Sequence, residues 1–329
     1  EMNKLVNCGL ENRFGTNCLK WDGLKSRFGN ENLIAMWVAD MDFKAPQPVI
    51  DALKERVNHG IFGYNIIPDS YYEAFINWEK EKHGYNVKKE WIRFSPGVVP
   101  ALFWFINILT NPGDSCIVMG PVYYPFHDAI KENERKLIFN NLKNDNGIYT
   151  IDFEKFEEDI IESQVKLFIL SSPHNPIGRV WTKEELKRVL DICKANDVFV
   201  LADEIHQDII IGDKKQIPAA TIGNYDDILV TLTAATKTFN LASCQNSFVV
   251  IPNDEIREKF DKYYNSIGGD NGNVFGYIAV EAAYRYGEEW LKEILDKIRG
   301  NYEYTKSILS NHLPHVVVSP LEGTYLAWY

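Results

Sequence analysis

The sequence is poor in cysteine and has no paired cysteine motif. Its five cysteines are odd in number and scattered, and none forms a Cys-x-x-Cys pair: Cys8, Cys18, Cys116, Cys193 and Cys244. This arrangement argues against a disulfide framework and against a cysteine-based zinc site. We therefore expect no metal site and a cytoplasmic location.

Long apolar runs and basic clusters are also missing. No stretch approaches 18 uninterrupted apolar residues, and no basic segment precedes an apolar one at the amino terminus, so the sequence predicts neither a membrane span nor a signal peptide. The net charge of -11 argues against nucleic-acid or anionic-membrane partners. A length of 329 residues with 45% hydrophobic residues predicts a globular protein with one large and one smaller domain.

The sequence does contain short apolar runs that alternate with amphipathic segments. The apolar runs predict buried strands at 116–119, 167–171, 198–202, 228–232 and 247–251. Helical periodicity covers 47–59, 68–83, 98–109 and 182–196. Because Thr182 and Glu185 have the spacing of a capping box, the last of these helices has a defined start. The alternation predicts an α/β fold with a mostly parallel sheet between helices.

The change in pattern along the chain predicts the domain boundaries. Residues 1–45 are polar and irregular, which predicts an N-terminal arm and part of a small domain, and 46–280 contain the alternating pattern of the large domain. Residues 281–329 predict a small α+β C-terminal domain, with strands at 316–318 and 325–328. We expect this last domain to be truncated.

Three polar motifs follow predicted strands, at the sheet edge where open α/β folds bind ligands. They contain Asn175 in Asn-Pro-Ile-Gly, Asp203 in Ala-Asp-Glu-Ile-His, and Lys237 in Thr-Lys-Thr-Phe-Asn. Pyridoxal phosphate chemistry needs a lysine that forms a Schiff base, a carboxylate that keeps the pyridine nitrogen protonated and a donor to the phenolic oxygen. The three residues fit these roles. The alternatives are a surface lysine, a helix N-cap aspartate and an ordinary turn asparagine.

In this order, the three motifs resemble the class I/II aminotransferase family of fold-type I pyridoxal phosphate enzymes. The segments 36–43 (MWVADMDF) and 97–101 (GVVPA) are similar to a narrower group, the cystathionine beta-lyase-like carbon–sulfur lyases of the maltose-regulon modulator type. The resemblance implies the pyridoxal-phosphate-dependent transferase fold, with a large cofactor domain and a smaller α+β domain. It also implies a homodimer with shared active sites.

The resemblance implies several further site residues. The backbone N–H groups of Val98 and Val99, with the Thr236 hydroxyl, would bind the phosphate, although Ala234 stands where many relatives carry a serine and Thr233 is an alternative to Thr236. Tyr123 would stack on the pyridine ring, with Tyr124 as the alternative, and His206 would lie near the phenolic oxygen. Tyr64 would reach the phosphate of the neighbouring subunit. Trp37 and Tyr64 would line the substrate pocket.

For function, the resemblance implies α,β-elimination of L-cystathionine or a related sulfur amino acid to pyruvate, ammonia and a thiol, with Lys237 as the catalytic base. An aminotransferase and a regulatory protein that binds a transcription factor remain alternatives. Relatives carry a carboxylate-binding arginine beyond the strand predicted near the end of this chain, so we expect cofactor binding to survive better than turnover.

Overall fold

A seven-stranded sheet forms the centre of the computed structural model, which describes residues 11–329. The strands are β1 (Ile92–Ser95), β2 (Ser115–Gly120), β3 (Lys136–Asn141), β4 (Lys143–Asp145), β5 (Ile148–Thr150), β6 (Val165–Ser171), β7 (Phe199–Asp203), β8 (Leu229–Thr233) and β9 (Ser247–Val250). The central order is β1-β9-β8-β7-β6-β2-β3, in which β9 is antiparallel to both neighbours and β8, β7, β6, β2 and β3 are parallel. Strands β4 and β5 form a separate antiparallel pair.

Twelve α-helices surround the strands in the described part of the chain. They are α1 (Leu19–Asp22), α2 (Leu24–Phe28), α3 (Gln47–His59), α4 (Asp69–Trp78), α5 (Val98–Leu109), α6 (Pro125–Glu132), α7 (Phe153–Glu162), α8 (Lys183–Ala195), α9 (Ala235–Thr238), α10 (Asp254–Ser266), α11 (Val274–Tyr286) and α12 (Glu288–His312). A π-helical turn, Glu79–His83, continues α4. No helix among these residues is long and apolar enough to cross a membrane.

Helices cover both faces of the sheet, which explains why its central strands are apolar throughout. On one face, Phe105 and Phe260 pack with residues from β2, β6 and β8. On the other face, Phe156 and Trp181 are fully buried. Full burial of each such side chain contributes about 1.5–3 kcal/mol. The predicted α/β fold with a mostly parallel sheet is therefore confirmed.

The strands and helices predicted within residues 46–280 are confirmed with small shifts at their ends. Helices α3 and α5 have the predicted bounds, and the segment 68–83 divides into α4 and the π-helical turn. The capping box of α8 is formed, because Glu185 N donates to Thr182 Oγ1 at 3.1 Å and Thr182 N donates to Glu185 Oε2 at 2.8 Å.

The strands predicted at 316–318 and 325–328 are wrong. Within residues 11–329, no named strand lies beyond β9, and Ser319 N donates a single ladder-like bond to Trp328 O at 2.9 Å. The backbone of the intervening segment instead pairs with the loops that follow β6 and β7, since Gly323 N donates to Gly178 O and Thr324 N donates to Ile209 O. The arm is also less irregular than expected, because it contains α1 and α2.

Candidate active site

The sheet edge formed by the carboxyl ends of β2, β6, β7 and β8 gathers the predicted residues. The strand register sets Ser171 beside Asp203, and Asp203 beside Leu232. The loops that leave these ends carry Asn175 and Lys237. Side chains that are distant in the sequence therefore lie around one crevice.

Lys237 lies in the short helix α9, directly after β8. Its Nζ donates a hydrogen bond to the carbonyl oxygen of Ala39 at 2.7 Å. Burial lowers the pKa of Lys237, while the negative charges of Asp40 and Asp203 act in the opposite direction. A lowered pKa increases the neutral fraction of the amine, which is the form that can act as a nucleophile or a base.

Asp203 is the last residue of β7 and only 7% of its surface is exposed. Its Oδ1 accepts a hydrogen bond from Ile205 N at 3.1 Å. Burial raises the pKa of Asp203 to about 7, whereas the Ile205 hydrogen bond and the charge of Lys237 lower it. A buried carboxylate with one backbone donor is well suited to a cationic N–H partner.

Asn175 and Tyr123 are joined through their backbones, because Tyr123 N donates to Asn175 O at 3.1 Å. Asn175 as a whole residue is 8% exposed, and its side-chain amide makes no hydrogen bond to any residue in 11–329. Burial raises the pKa of Tyr123 to about 12, with smaller effects from Tyr124 and Asp203. The Tyr123 ring is therefore near Asp203, while Tyr124 is 61% exposed.

His206 is buried, and its Nδ1 has no hydrogen-bond partner among the described residues. Burial and the positive charge of Lys237 lower the pKa of His206 to about 3. Its ring meets that of Tyr325 edge-on, with centroids 6.0 Å apart. At neutral pH, His206 is therefore an uncharged imidazole at the wall of the crevice.

The start of α5 supplies the candidate phosphate site. Val98 and Val99 are its first two residues, so no carbonyl of the helix can accept their N–H groups. Because Ser95 pairs with Ser247 and Thr233 with Phe248, this helix start and α9 lie at the same edge of the sheet. A helix N-terminus with free N–H groups favours an anion such as phosphate.

The two threonines considered for the phosphate differ in their contacts. Thr233 Oγ1 donates to the carbonyl oxygen of Glu204 at 3.3 Å. The Thr236 hydroxyl is partly exposed and has no hydrogen-bond partner in residues 11–329. This difference favours Thr236 over Thr233 as the hydroxyl that contacts the phosphate.

The structure does not bring Tyr64 or Trp37 to Lys237 within one chain. Tyr64 is fully exposed in the irregular segment after α3. Trp37 Nε1 donates to Lys20 O at 3.0 Å, and its ring packs edge-on against Phe28 at 5.2 Å. Their predicted binding roles stay predictions.

Two contacts with the N-terminal arm were not predicted from the sequence. The Ala39 carbonyl accepts a second hydrogen bond, from the Tyr325 hydroxyl at 2.8 Å. Asn240, the last residue of the lysine motif, accepts from Met41 N at 3.1 Å and donates to Met41 O and Phe43 O at 2.9 Å. The sequence did contain a related feature, the 36–43 motif, whose backbone contacts the lysine motif in the structure.

A buried network centred on Asp208 was also missed. Its Oδ1 accepts from Trp78 Nε1 at 2.9 Å and from His83 Nε2 at 2.7 Å, and its Oδ2 accepts from Thr238 Oγ1 at 2.8 Å. Burial opposes charge on both partners, but their mutual attraction lowers the pKa of Asp208 and raises that of His83 to about 9. Sequence spacing gave no sign of this network, because its members come from three separate segments.

These groups can be tested against the needs of pyridoxal phosphate. Within residues 11–329, Asp203 has no ion-pair partner and the Asn175 amide has no hydrogen-bond acceptor, while the α5 start offers N–H groups to an anion. A protonated pyridine nitrogen, a phenolic oxygen and a phosphate match these three requirements. The residues present therefore fit this cofactor.

Comparisons with known proteins agree with this geometry. The family model for aminotransferase class I and II matches residues 31–328. The chain belongs to the aminotransferase class I and II family. Among family relatives, "Cystathionine beta-lyase PatB" of Bacillus subtilis (strain 168) is 41% identical over 319 residues, which cover 97% of this chain and 82% of that protein.

Two solved structures of the aminotransferase class I and II fold are also similar. Cystalysin from Treponema denticola, which contains a pyridoxal 5'-phosphate cofactor, has a TM-score of 0.93 and 36% identity, and the match covers 97% of this chain and 82% of that one. The pyridoxal-phosphate-bound C-S lyase from Staphylococcus hominis has a TM-score of 0.92 and 35% identity, with 99% and 82% covered.

Proposed function

We propose that this protein is a pyridoxal-phosphate-dependent carbon–sulfur β-lyase acting on L-cystathionine or a related sulfur amino acid. The observation that carries the proposal is the location of Lys237 and Asp203 at adjacent strand ends, where the charge of each shifts the pKa of the other. The lyase names of PatB and of the Staphylococcus hominis structure support this activity over others in the family.

The residues divide the work of holding the cofactor. Asp203 would hold the proton on the ring nitrogen, and Asn175 would donate to the phenolic oxygen. Tyr123 would pack on the ring face, with His206 close to the phenolic oxygen. The N–H groups of Val98 and Val99, together with the Thr236 hydroxyl, would hold the phosphate.

Lys237 would then act twice. Bound pyridoxal phosphate supplies an electron sink for the charge that develops at the substrate Cα. Lys237 first holds the cofactor and, once the substrate amine has replaced it, its neutral amine takes the Cα proton. The bond from Cβ to sulfur breaks, the thiolate leaves with the bonding electrons, and hydrolysis of the unsaturated product yields pyruvate and ammonia.

The test is to incubate the protein with pyridoxal phosphate and L-cystathionine in the absence of any 2-oxo acid, and to measure pyruvate and free thiol together. We expect equal amounts of both from the wild type and none from Lys237→Ala. Lys259→Ala, an exposed lysine on α10, is the matched control and should keep full activity. Pyruvate released without an equal amount of thiol would contradict the lyase proposal.

Adding a 2-oxo acid to this incubation distinguishes a lyase from an aminotransferase. An aminotransferase uses the same lysine to move the proton to the cofactor, so it releases a 2-oxo acid only in proportion to an added acceptor. Amino-group transfer to added 2-oxoglutarate without thiol release would replace the lyase proposal by this one.

We also propose a homodimer with shared active sites. The segment after α3 exposes a row of apolar side chains: Ile61, Phe62, Tyr64 and Ile66. A contiguous exposed apolar surface of this kind is typical of an interface. In the dimer, Tyr64 would reach the phosphate of the neighbouring subunit.

Mixing inactive variants tests this arrangement. Lys237→Ala and Tyr64→Ala subunits, unfolded and refolded together, should regain about a quarter of wild-type activity, because half of the dimers are hybrid and each has one intact site. Each variant refolded alone is the control. No recovery from hybrids shown to form by mass spectrometry would exclude a shared site.

Two further features are part of the proposal. Residues 46–280 would form the large cofactor-binding domain, since all strands of the central sheet lie within them, and 281–329 would begin the smaller domain with 1–45. Four cysteines are described and all are free, which is consistent with a cytoplasmic location.

A further inference from the structure

A second cavity lies away from Lys237, between the π-helical turn after α4, the loop that follows β7 and the start of α12. Its volume is about 320 Å³, within the range of small-molecule sites. The apolar part of its wall is formed by Trp78, Ile210, Leu291 and Leu295. This composition suits the apolar body of a small organic molecule.

The polar part of the wall is basic. Four lysines line it: Lys82, Lys214, Lys215 and Lys292. Three of these lysines have carboxylate partners: Lys82 pairs with Glu288 at 2.5 Å, Lys292 with Glu289 at 2.7 Å and with Glu288 at 3.3 Å, and Lys214 with Glu322 at 3.1 Å. His83 is paired with Asp208 at 2.7 Å. Lys215 has no ion-pair partner among residues 11–329. The cavity therefore carries an excess of positive charge in a protein whose net charge is -11.

We propose that this basic cavity binds a small organic anion, a carboxylate or sulfonate with an aromatic or aliphatic body. The body would pack on Trp78 and Leu291, and the anionic group would lie against the Lys215 ammonium group, the one cavity lysine without a carboxylate partner among residues 11–329. The anion gains more from Lys215 here than from a lysine on an open surface, because the apolar wall reduces screening by water.

The cavity wall is connected to the candidate active site by hydrogen bonds. Trp78 and His83 line the cavity and donate to Asp208, and Asp208 accepts from Thr238, the neighbour of Lys237. An anion that changes the position of Trp78 or His83 changes the geometry of this network. We therefore expect anion binding to change the position of Lys237 and so the rate of the reaction. This regulatory role rests on the proposed function.

Binding can be measured with anilinonaphthalene sulfonate, an aromatic sulfonate whose fluorescence rises in apolar surroundings. The full chain, saturated with pyridoxal phosphate, is titrated and compared with Lys215→Glu/Lys292→Glu and with Ile210→Trp, which fills the cavity without changing its charge. We expect both variants to bind at least about tenfold more weakly. Lys183→Glu/Lys259→Glu, two exposed lysines on α8 and α10, should bind as the wild type.

Equal affinity in the wild type and both cavity variants would overturn the site, because the probe would then be bound elsewhere. Equal weakening by the control pair would show nonspecific attraction and would overturn it too. These titrations contain no substrate, so their result is independent of whether pyruvate is released.

The regulatory consequence has its own measurement. Saturating probe should change kcat or KM for pyruvate release in the wild type and change them less in Thr238→Val, which lacks the hydroxyl that bonds to Asp208. Unchanged kinetics with the probe bound would remove the regulatory role and leave the binding site standing.

Discussion

The hydroxyl group of Thr238 donates a hydrogen bond to Oδ2 of Asp208 at 2.8 Å, and both residues are buried. Asp208 is at the same time the ion-pair partner of His83. The turn that carries Lys237 is therefore fixed to the end of α4 by a buried charge. Removing one member of such a group leaves the others without a partner, which costs more than the bond itself contributes.

Thr238→Val is expected to lower the free energy of unfolding by about 1–3 kcal/mol, since the Asp208 carboxylate loses a buried donor. It should also weaken the retention of pyridoxal phosphate, because Lys237 becomes less well positioned. Urea unfolding and cofactor titration measure the two effects. Thr238→Ser keeps the hydroxyl and should lie much closer to the wild type; a Thr238→Val protein as stable as the wild type would show that the hydrogen bond does not contribute.

Val98→Pro should weaken pyridoxal phosphate binding by about 1 kcal/mol or more while leaving pyridoxal binding unchanged. Proline at the first helical position removes an N–H group without disturbing the helix, and Gly97 before it is already extended. Val98→Ala retains the N–H group and is the control. Equal losses for the two ligands would mean that this N–H group does not contact the phosphate.

Glu204 is expected to make the protein less stable as the pH rises. Burial raises the pKa of Glu204 to about 8. The folded state therefore keeps a proton that the unfolded chain releases above about pH 4.5. The stabilisation is complete below that pH and is lost as the pH rises through about 8.

In Glu204→Gln, this component of the pH dependence should disappear, so its free energy of unfolding should fall less than that of the wild type between about pH 5 and pH 8. The maximum difference in slope is about 1.4 kcal/mol per pH unit. Glu184→Gln, an exposed carboxylate on α8, should follow the wild type. Parallel curves for wild type and Glu204→Gln would contradict the prediction.

The pKa values of His206 and His83 are shifted in opposite directions, so neither residue should titrate near neutral pH in NMR spectra of the histidine-labelled protein. Burial and Lys237 lower the pKa of His206 to about 3, so its resonances should stay constant between about pH 5 and pH 8. Despite burial, Asp208 raises the pKa of His83 to about 9, so its resonances should move only near that pH. His206→Gln and His83→Gln assign the signals, and a His206 midpoint near neutrality would disprove its burial beside Lys237.

The strands and helices within residues 46–280 could be predicted from the sequence because their signals are local. Apolar runs such as 228–232 and the capping pair Thr182 and Glu185 specify their own structure over a few residues. Positions at strand ends also fix a common location, which is why the placement of Asp203 and Lys237 at one sheet edge could be predicted.

Other features depended on distant partners and could not be predicted. The segment 316–328 has strand-like composition, but its backbone finds partners in loops around Gly178 and Ile209 instead of a neighbouring strand. The Asp208 network requires Trp78 and His83 to approach from more than a hundred residues away, and no periodicity encodes that approach. The role predicted for Tyr64 depends on the proposed second subunit, so its exposed position could not be predicted from local sequence.

The π-helical turn Glu79–His83 makes the number of residues in this segment as important as their identity. Such a turn corresponds to an α-helix with one inserted residue, so the insertion determines which side chain faces Asp208. Shortening the turn by one residue rotates His83 away from the carboxylate. In relatives that use this network, the segment should tolerate substitutions at exposed positions such as Lys80 but neither insertions nor deletions.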